Sequence, residues 1–315
     1  MKKIFPIILL IISLASCDER KPYLTYADQE MVIEGWIDNG GFPYVFLSKT
    51  VLADGKPTSM EDIDKYTVRH AEVTLNDGTR DYKLIGLEID ELLERLREMN
   101  LETGFDIPFT KIEDIVLLPP FVYTSFEVMG QVGKTYTVTA KSEDYEIVGS
   151  STIQEPVEIS EVRTEKVTDD PNDDRYKAVV CFKDNPDTHD YYKAFVMLDG
   201  KKPMFMPSLL ANLDDATLYK DTDDVEAASN VELSIYQDFT IPISDFRPYF
   251  HKGETVYIKL VKINEREFKY WDVLEELTIF SRNMFFPTTT RIQPTVRGGE
   301  GYWCAYGSSY VKVTF

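Results

Sequence analysis

The stretch "TVRHAEVTLNDGTRDYKLI", residues 67–85, sets Val68, His70, Glu72 and Thr74 against Arg69, Ala71, Val73 and Leu75 and then meets Asn76-Asp77-Gly78. Strict alternation puts successive side chains on opposite faces of a strand, and a glycine after Asn or Asp supplies the positive φ that tight β turns require. The stretch therefore reads as a β-hairpin. The same pattern recurs along the chain. "KTYTVTA" places Tyr136, Val138 and Ala140 on one face, and "YEIVGSSTI" follows across "KSED". "MVIEGWI" and "PYVFLSK" flank Asp38-Asn39-Gly40-Gly41-Phe42 in the same way. Short strands with turn signals at this spacing predict a β-sandwich over residues 31–155.

Two segments break the β pattern. In residues 87–100, Ile89, Leu92, Leu93, Leu96 and Met99 recur at helical spacing among Glu and Arg, which predicts an amphipathic helix at about 88–99. With the irregular residues up to 120 it forms an insertion (87–120) between strands, whose helix covers a sheet edge or offers a partner surface. Further on, Asn264 and Glu267 have capping-box spacing and open a helix at about 265–280. Phe268, Trp271, Leu274 and Leu277 line one of its faces, and Tyr270, Val273 and Phe280 crowd the other. A helix apolar on two faces is expected to be buried.

The strand before Gln154-Glu155-Pro156 ends there, which places a boundary at 155/156 and a second β-rich unit with one buried helix over 156–315. "EISEVRTEKV", "RYKAVVCFK", "HDYYKAFVMLDGKKPMFM" with its Asp199-Gly200 turn, "VELSIYQDFTIPI" and "ETVYIKLVKI" carry its strands. Val311, Val313 and Phe315 alternate in a terminal strand. The fold class is mainly β: 13% aromatic residues, led by 19 Tyr and 18 Phe, suit half-buried pleated surfaces.

The amino-terminal residues decide location. Lys2 and Lys3 precede an apolar run, Ile4 to Leu14, of roughly 11 residues, which as a helix reaches only about 17 Å against about 30 Å of hydrocarbon. Residues 1–16 thus read as a secretory signal peptide and 17–30 as a polar tether. Leu14-Ala15-Ser16-Cys17 resembles the lipobox of bacterial lipoproteins, in which the cysteine thiol carries a diacylglyceryl group and the freed amine is acylated as well. Asp18 and Glu19 resemble the acidic signal that sends Bacteroidetes lipoproteins to the outer face of the outer membrane. Removal of Lys2 and Lys3 leaves 32 basic residues against 54 acidic ones, a net of −22. Nucleic acid and anionic membrane both call for clustered Lys and Arg, so this balance disfavours them as partners.

No nucleophile is assembled in the sequence. His70, His189 and His251 lie in strand or turn contexts with no GxSxG elbow, and Ser150, Ser151, Ser308 and Ser309 follow glycines without a strand-to-helix turn. Catalytic residues, cofactors and metal ligands are therefore expected to be absent. The acidic runs 169–174 and 221–224 match no EF-hand loop. Cys181 and Cys304 form no metal-ligand array; one disulfide and two buried free thiols both remain open. Tyr302, Trp303, Tyr306 and Tyr310 surround the carboxy-terminal glycines, where exposed rings would grip a sugar or peptide and buried ones would belong to the core. Tyr302, Trp303 and Tyr306 are the weak ligand-binding candidates.

Several stretches together resemble a Bacteroidetes lipoprotein family known as domain of unknown function 4249. They are "MVIEGWIDNGGFPYVFLSKT", "GQVGKTYTVTAKSEDYEIVGSSTI", "HDYYKAFV", "EREFKYWDVLEEL" and "GGEGYWCAYGSS". Residues 87–120 depart from the family pattern. The resemblance implies an outer-membrane lipoprotein with an immunoglobulin-like first domain and a β-rich second one, often encoded beside a TonB-dependent receptor of the starch-utilisation type. On that reading the chain is a non-catalytic ligand-capture or accessory subunit. A surface hydrolase of glycans or peptides and an adhesion or envelope module are the alternatives.

Overall fold

In a computed structural model the described residues are 30–50, 64–99, 120–142, 145–198, 206–209, 218–220, 231–238, 249–280 and 292–315. Cys17, the signal peptide, the tether up to residue 29, insertion residues 100–119, the Asp199-Gly200 turn and the acidic run 221–224 lie outside them.

The chain opens with β1 (Met31–Asp38), β2 (Tyr44–Lys49), β3 (Glu72–Asn76), β4 (Asp81–Lys83) and β5 (Ile85–Glu88). Helix α1 (Ile89–Glu98) follows, then β6 (Phe121–Thr124), β7 (Thr135–Ser142) and β8 (Tyr145–Thr152). Next come β9 (Ile159–Lys166), β10 (Arg175–Phe182), β11 (Tyr191–Leu198), β12 (Met206–Leu209), β13 (Leu218–Lys220) and β14 (Val231–Asp238). The last elements are β15 (Phe250–His251), β16 (Thr255–Ile263), α2 (Glu265–Phe280), β17 (Val296–Arg297) and β18 (Glu300–Thr314). The fold is mainly β, as the alternation predicts. Among the described residues no helix is long and apolar enough to cross a membrane.

The predicted hairpin is present but shorter than its alternation suggests. Asn76 pairs with Asp81, and Gly78 takes φ 87° at the turn. Asp77 organises that turn: its carboxylate accepts the Thr79 hydroxyl, the backbone N–H groups of Thr79 (2.9 Å) and Arg80 (3.1 Å) and the Lys134 ammonium (3.1 Å). These donors hold the Asp77 carboxyl well below the usual carboxylate range. Val73 and Leu75 are fully buried, while His70 precedes the strand in a bend and is exposed. Val68, of opposite parity, is buried too, because the chain before Glu72 is not yet a strand. At Leu84 the chain leaves its partner: β4 pairs with β3 in one sheet and β5 with β6 in the other.

Two sheets result. A large one runs β15-β10-β14-β12-β11-β16-β18-β1-β2-β6-β5, with β9 beside β10 and β13 beside β11; the smaller runs β17-β8-β7-β3-β4. Between them lies a core that includes Ile33, Val45, Leu47, Val73, Tyr136, Val138 and Ile147. Residues 31–155 do not build it alone, since Val296, Trp303 and Ala305 belong to it. A second core gathers Val180, Phe182, Tyr192, Val196, Leu233, Ile258 and Leu260, where the large sheet curls round upon itself.

Strand β18 joins the two. Its first half, Glu300 to Tyr306, runs parallel to β1; its second half, Gly307 to Thr314, runs antiparallel to β16. Among the described residues no strand pairs with the edge of the first half away from β1; the Thr295 N–H donates to the Gly301 carbonyl at 3.1 Å, and side chains satisfy further groups. Thr295 Oγ1 accepts the Trp303 N–H at 2.8 Å, and Ser151 Oγ accepts that of Ala305 at 3.2 Å. An exposed strand edge is thereby closed without a further strand.

Both helices fall where the spacing predicts, and both lie on the same face of the large sheet. Leu92 and Leu96 of α1 pack on Phe42, Phe46, Leu87 and Val122, so the insertion helix covers a sheet face where an edge was the expectation. Met99 lies beyond the helix and is exposed. At the other end, α2 packs Tyr270 and Trp271 against Phe195, Val261, Ile263, Cys304 and Tyr306. The side chains of Leu277 and Phe280 lie outside the described set.

Candidate functional site

Capping and burial fix α2 over the sheet. Asn264 Oδ1 accepts the N–H groups of Arg266 and Glu267, both at 3.0 Å, and Glu267 Oε2 accepts the Asn264 N–H at 3.1 Å. This is the reciprocal capping box that the sequence predicts. Glu267 then does more than cap. It is buried, its Oε1 accepts the Ser151 hydroxyl, and it draws on the backbone of Ala305.

Burial pushes the Glu267 carboxyl up from an ordinary 4.5 to about 7, against the hydrogen bonds from Ser151, Asn264 and Ala305. A carboxyl whose folded pKa lies above its unfolded one binds its proton more tightly in the native state. Its contribution to stability is therefore full at low pH and is lost as pH rises through the window from about 4.5 to about 7. Melting temperatures taken from about pH 5 to about pH 8 should fall more steeply for the wild type than for Glu267→Gln. Parallel curves would show that Glu267 does not titrate in that window.

Three inward residues of α2, Glu267, Trp271 and Glu275, stand at i, i+4 and i+8, one above another on the helix. Glu275 ion-pairs with Lys193 of β11, both fully or almost fully withdrawn from solvent. Burial lowers the Lys193 ammonium pKa, and Glu275 opposes the shift. A second pair lies beside the first on the same face. Lys259 of β16 reaches both carboxylate oxygens of Asp38 at the end of β1, at 2.8 and 3.0 Å, and the Ser308 hydroxyl donates to the same carboxylate. The Phe195 ring lies between the ammonium groups, 5.7 Å from Lys193 Nζ and 5.2 Å from Lys259 Nζ, and Tyr306 stands 4.8 Å from Lys259. Aromatic faces attract cations electrostatically, so the rings share in solvating both charges.

The aromatic group near the carboxy terminus divides between the two faces of β18. Trp303 points into the core between the sheets, buried to 1% exposure, with its indole N–H donating to the Tyr136 carbonyl at 3.0 Å. Tyr302 and Tyr306 point to the helix-bearing face. Tyr306 is buried against Phe195, with ring centroids 5.5 Å apart. Tyr302 is half-buried, its ring 5.3 Å from that of Tyr270 and 5.1 Å from that of Trp271. Tyr310, on the same face, is half-buried as well.

The other residues singled out by sequence lie apart. His70 and His189 are exposed on separate loops, and His251 sits 3.2 Å from Asp174. In the run 169–174, Asp173 is occupied by Arg175 (2.6 Å), which holds its carboxyl well below the usual range. Among the described residues no three His, Cys, Asp or Glu side chains gather where a metal ion could bind. Ser309 donates to the Val157 carbonyl at 2.5 Å. Cys181 and Cys304 are both buried free thiols, on β10 and β18, and desolvation raises both pKa values, the opposite of what a reactive thiolate needs.

Sequence reading missed Trp36, Asp38, Lys193, Lys259 and Glu275. Period-2 spacing was the available signal: Lys193 and Phe195 share parity, as do Lys259 and Val261, yet nothing local marks a lysine as buried. No curated protein gives a significant match to the sequence. A family described as Domain of unknown function (DUF4249) matches residues 18–309, nearly the whole length, and the chain belongs to that family.

Proposed function

We propose that the protein is a surface-exposed outer-membrane lipoprotein of the Bacteroidetes type that captures a ligand for, or docks onto, a TonB-dependent transporter, without catalysis of its own. The observation that carries this reading is Leu14-Ala15-Ser16-Cys17 after a charged, short apolar leader and before an acidic pair. Two or more acyl chains at Cys17 would hold the body stably at the membrane where one would not. The net charge of −20 suits a solvated surface protein, and the family resemblance adds the transporter as partner.

Expression in a Bacteroidetes host is the test. Cys17→Ala should move the protein from the membrane to the soluble fraction, and unchanged membrane association would remove the anchor. Protease treatment of intact cells should degrade the wild-type protein, whereas complete protection would refute surface exposure. Pull-down of the lipidated protein from solubilised outer membrane should bring a large β-barrel receptor with it. Recovery alone, together with turnover of a glycan or peptide library, would favour a surface hydrolase.

A further inference from the structure

Glu34 stands on the helix-bearing face of β1, between the regions covered by α1 and α2, with an aromatic ring on three sides. The strand register sets Phe46 of β2 and Tyr302 of β18 directly across from it, and Trp36 follows two residues along on the same face. Trp36 leans on Phe46, with ring centroids 5.9 Å apart, and is half-buried, as is Tyr302. Tyr270 and Trp271 back Tyr302 from α2. Trp36 packs against both the α1 and the α2 clusters and so lies where the two covers meet.

The Glu34 side chain makes no hydrogen bond or ion pair among the described residues. The residue is exposed, yet the protein around it desolvates its carboxyl and raises the pKa. Solvent reaches this group beside the rings of Phe46, Trp36 and Tyr302, which crowd its hydration. An unpaired carboxylate there, bordered by aromatic rings whose faces carry negative charge density, lacks one complement, a positive charge.

We propose that Glu34, Trp36 and Tyr302, supported by Phe46 and Tyr270, form a binding cage for an organic ammonium cation. Cation and ring attract most where water is scarce, and the carboxylate adds a direct charge partner. A neutral saccharide would stack on the rings but leave the carboxylate charge uncompensated. A hard metal ion would require several oxygen ligands where Glu34 offers a single unpaired carboxylate. The negative field of the protein also favours a cationic ligand on approach. This cage supplies a ligand class for the capture reading and rests on that reading for its biological use alone.

Calorimetric titration of the full chain with choline, and with its uncharged carbon isostere 3,3-dimethyl-1-butanol, tests the cage. Choline should bind and the isostere should not saturate. Glu34→Gln and Tyr302→Leu should each weaken choline binding by at least about tenfold. Equal affinity for the two probes, unchanged affinity in Glu34→Gln, or no choline binding up to about 10 mM would overturn the cage. The comparison of the two probes on the wild-type chain stands even where a variant folds poorly. Choline binding without a co-purified receptor would retire transporter docking and leave the cage, and a receptor without choline binding would do the reverse.

Discussion

Replacement of Trp303 by alanine is expected to lower the free energy of unfolding by about 3–5 kcal/mol, a large share of the roughly 5–15 kcal/mol that holds a typical domain together. The indole fills the space between the two sheets, and its N–H satisfies the Tyr136 carbonyl; alanine leaves a cavity and an orphaned acceptor. The room for the ring comes from glycines. A Cβ built on Gly149 would lie 2.6 Å from the Trp303 Cβ, and one on Gly35 would lie 3.0 Å from the ring. Gly149→Val should therefore destabilise by overpacking where Trp303→Ala destabilises by vacancy. Urea midpoints followed by far-ultraviolet circular dichroism measure both, and Trp303→Phe, which keeps most of the volume, should fall between wild type and alanine. A loss below about 1 kcal/mol for Trp303→Ala would show that the ring is not packed as described.

The second large effect is expected at the Lys193–Glu275 pair. Removing one partner strands a charge in a place that water does not reach, so Lys193→Met or Glu275→Leu alone should cost about 3–5 kcal/mol. The double variant should recover most of that loss, because two apolar side chains fill the space with no charge left to solvate. A double-mutant cycle on urea midpoints measures the coupling directly. Additive losses would show that the two side chains do not depend on each other.

The features legible in the sequence are those whose causes are local. Asn76-Asp77-Gly78 marks a hairpin because the turn geometry and the asparagine and aspartate bonds lie within a few residues. Asn264 and Glu267 mark a helix start for the same reason. Ile89, Leu92 and Leu96 mark a helix face, but not whether that face would cover an edge or the broad side of a sheet. Parity along Tyr302, Trp303 and Tyr306 separates the tryptophan from the tyrosines, although it cannot say which side is core. The buried charges were beyond reach for a different reason. Asp38 and Lys259 are 221 positions apart, and Glu275 lies 82 from Lys193, so each side chain looks locally like an ordinary surface charge. Glu34 is similarly anonymous until the register places Phe46 and Tyr302 on either side of it.

The parallel pairing of β1 with β18 sets the order in which this protein can mature. A growing chain presents Met31 to Asp38 long before their hydrogen-bonding partners, Glu300 to Tyr306, because Val32 and its partner Glu300 are 268 positions apart. Contacts between such distant segments carry the loop-closure cost of nearly the entire polypeptide, the regime in which folding is slow. The hairpins β3–β4 and β7–β8 can form as soon as they appear, yet the core they face stays open on one side until Trp303 arrives. Closure of the core between the two sheets thus waits for Trp303 and its neighbours on β18, so that the local hairpins precede the long-range β1–β18 pairing that seals them.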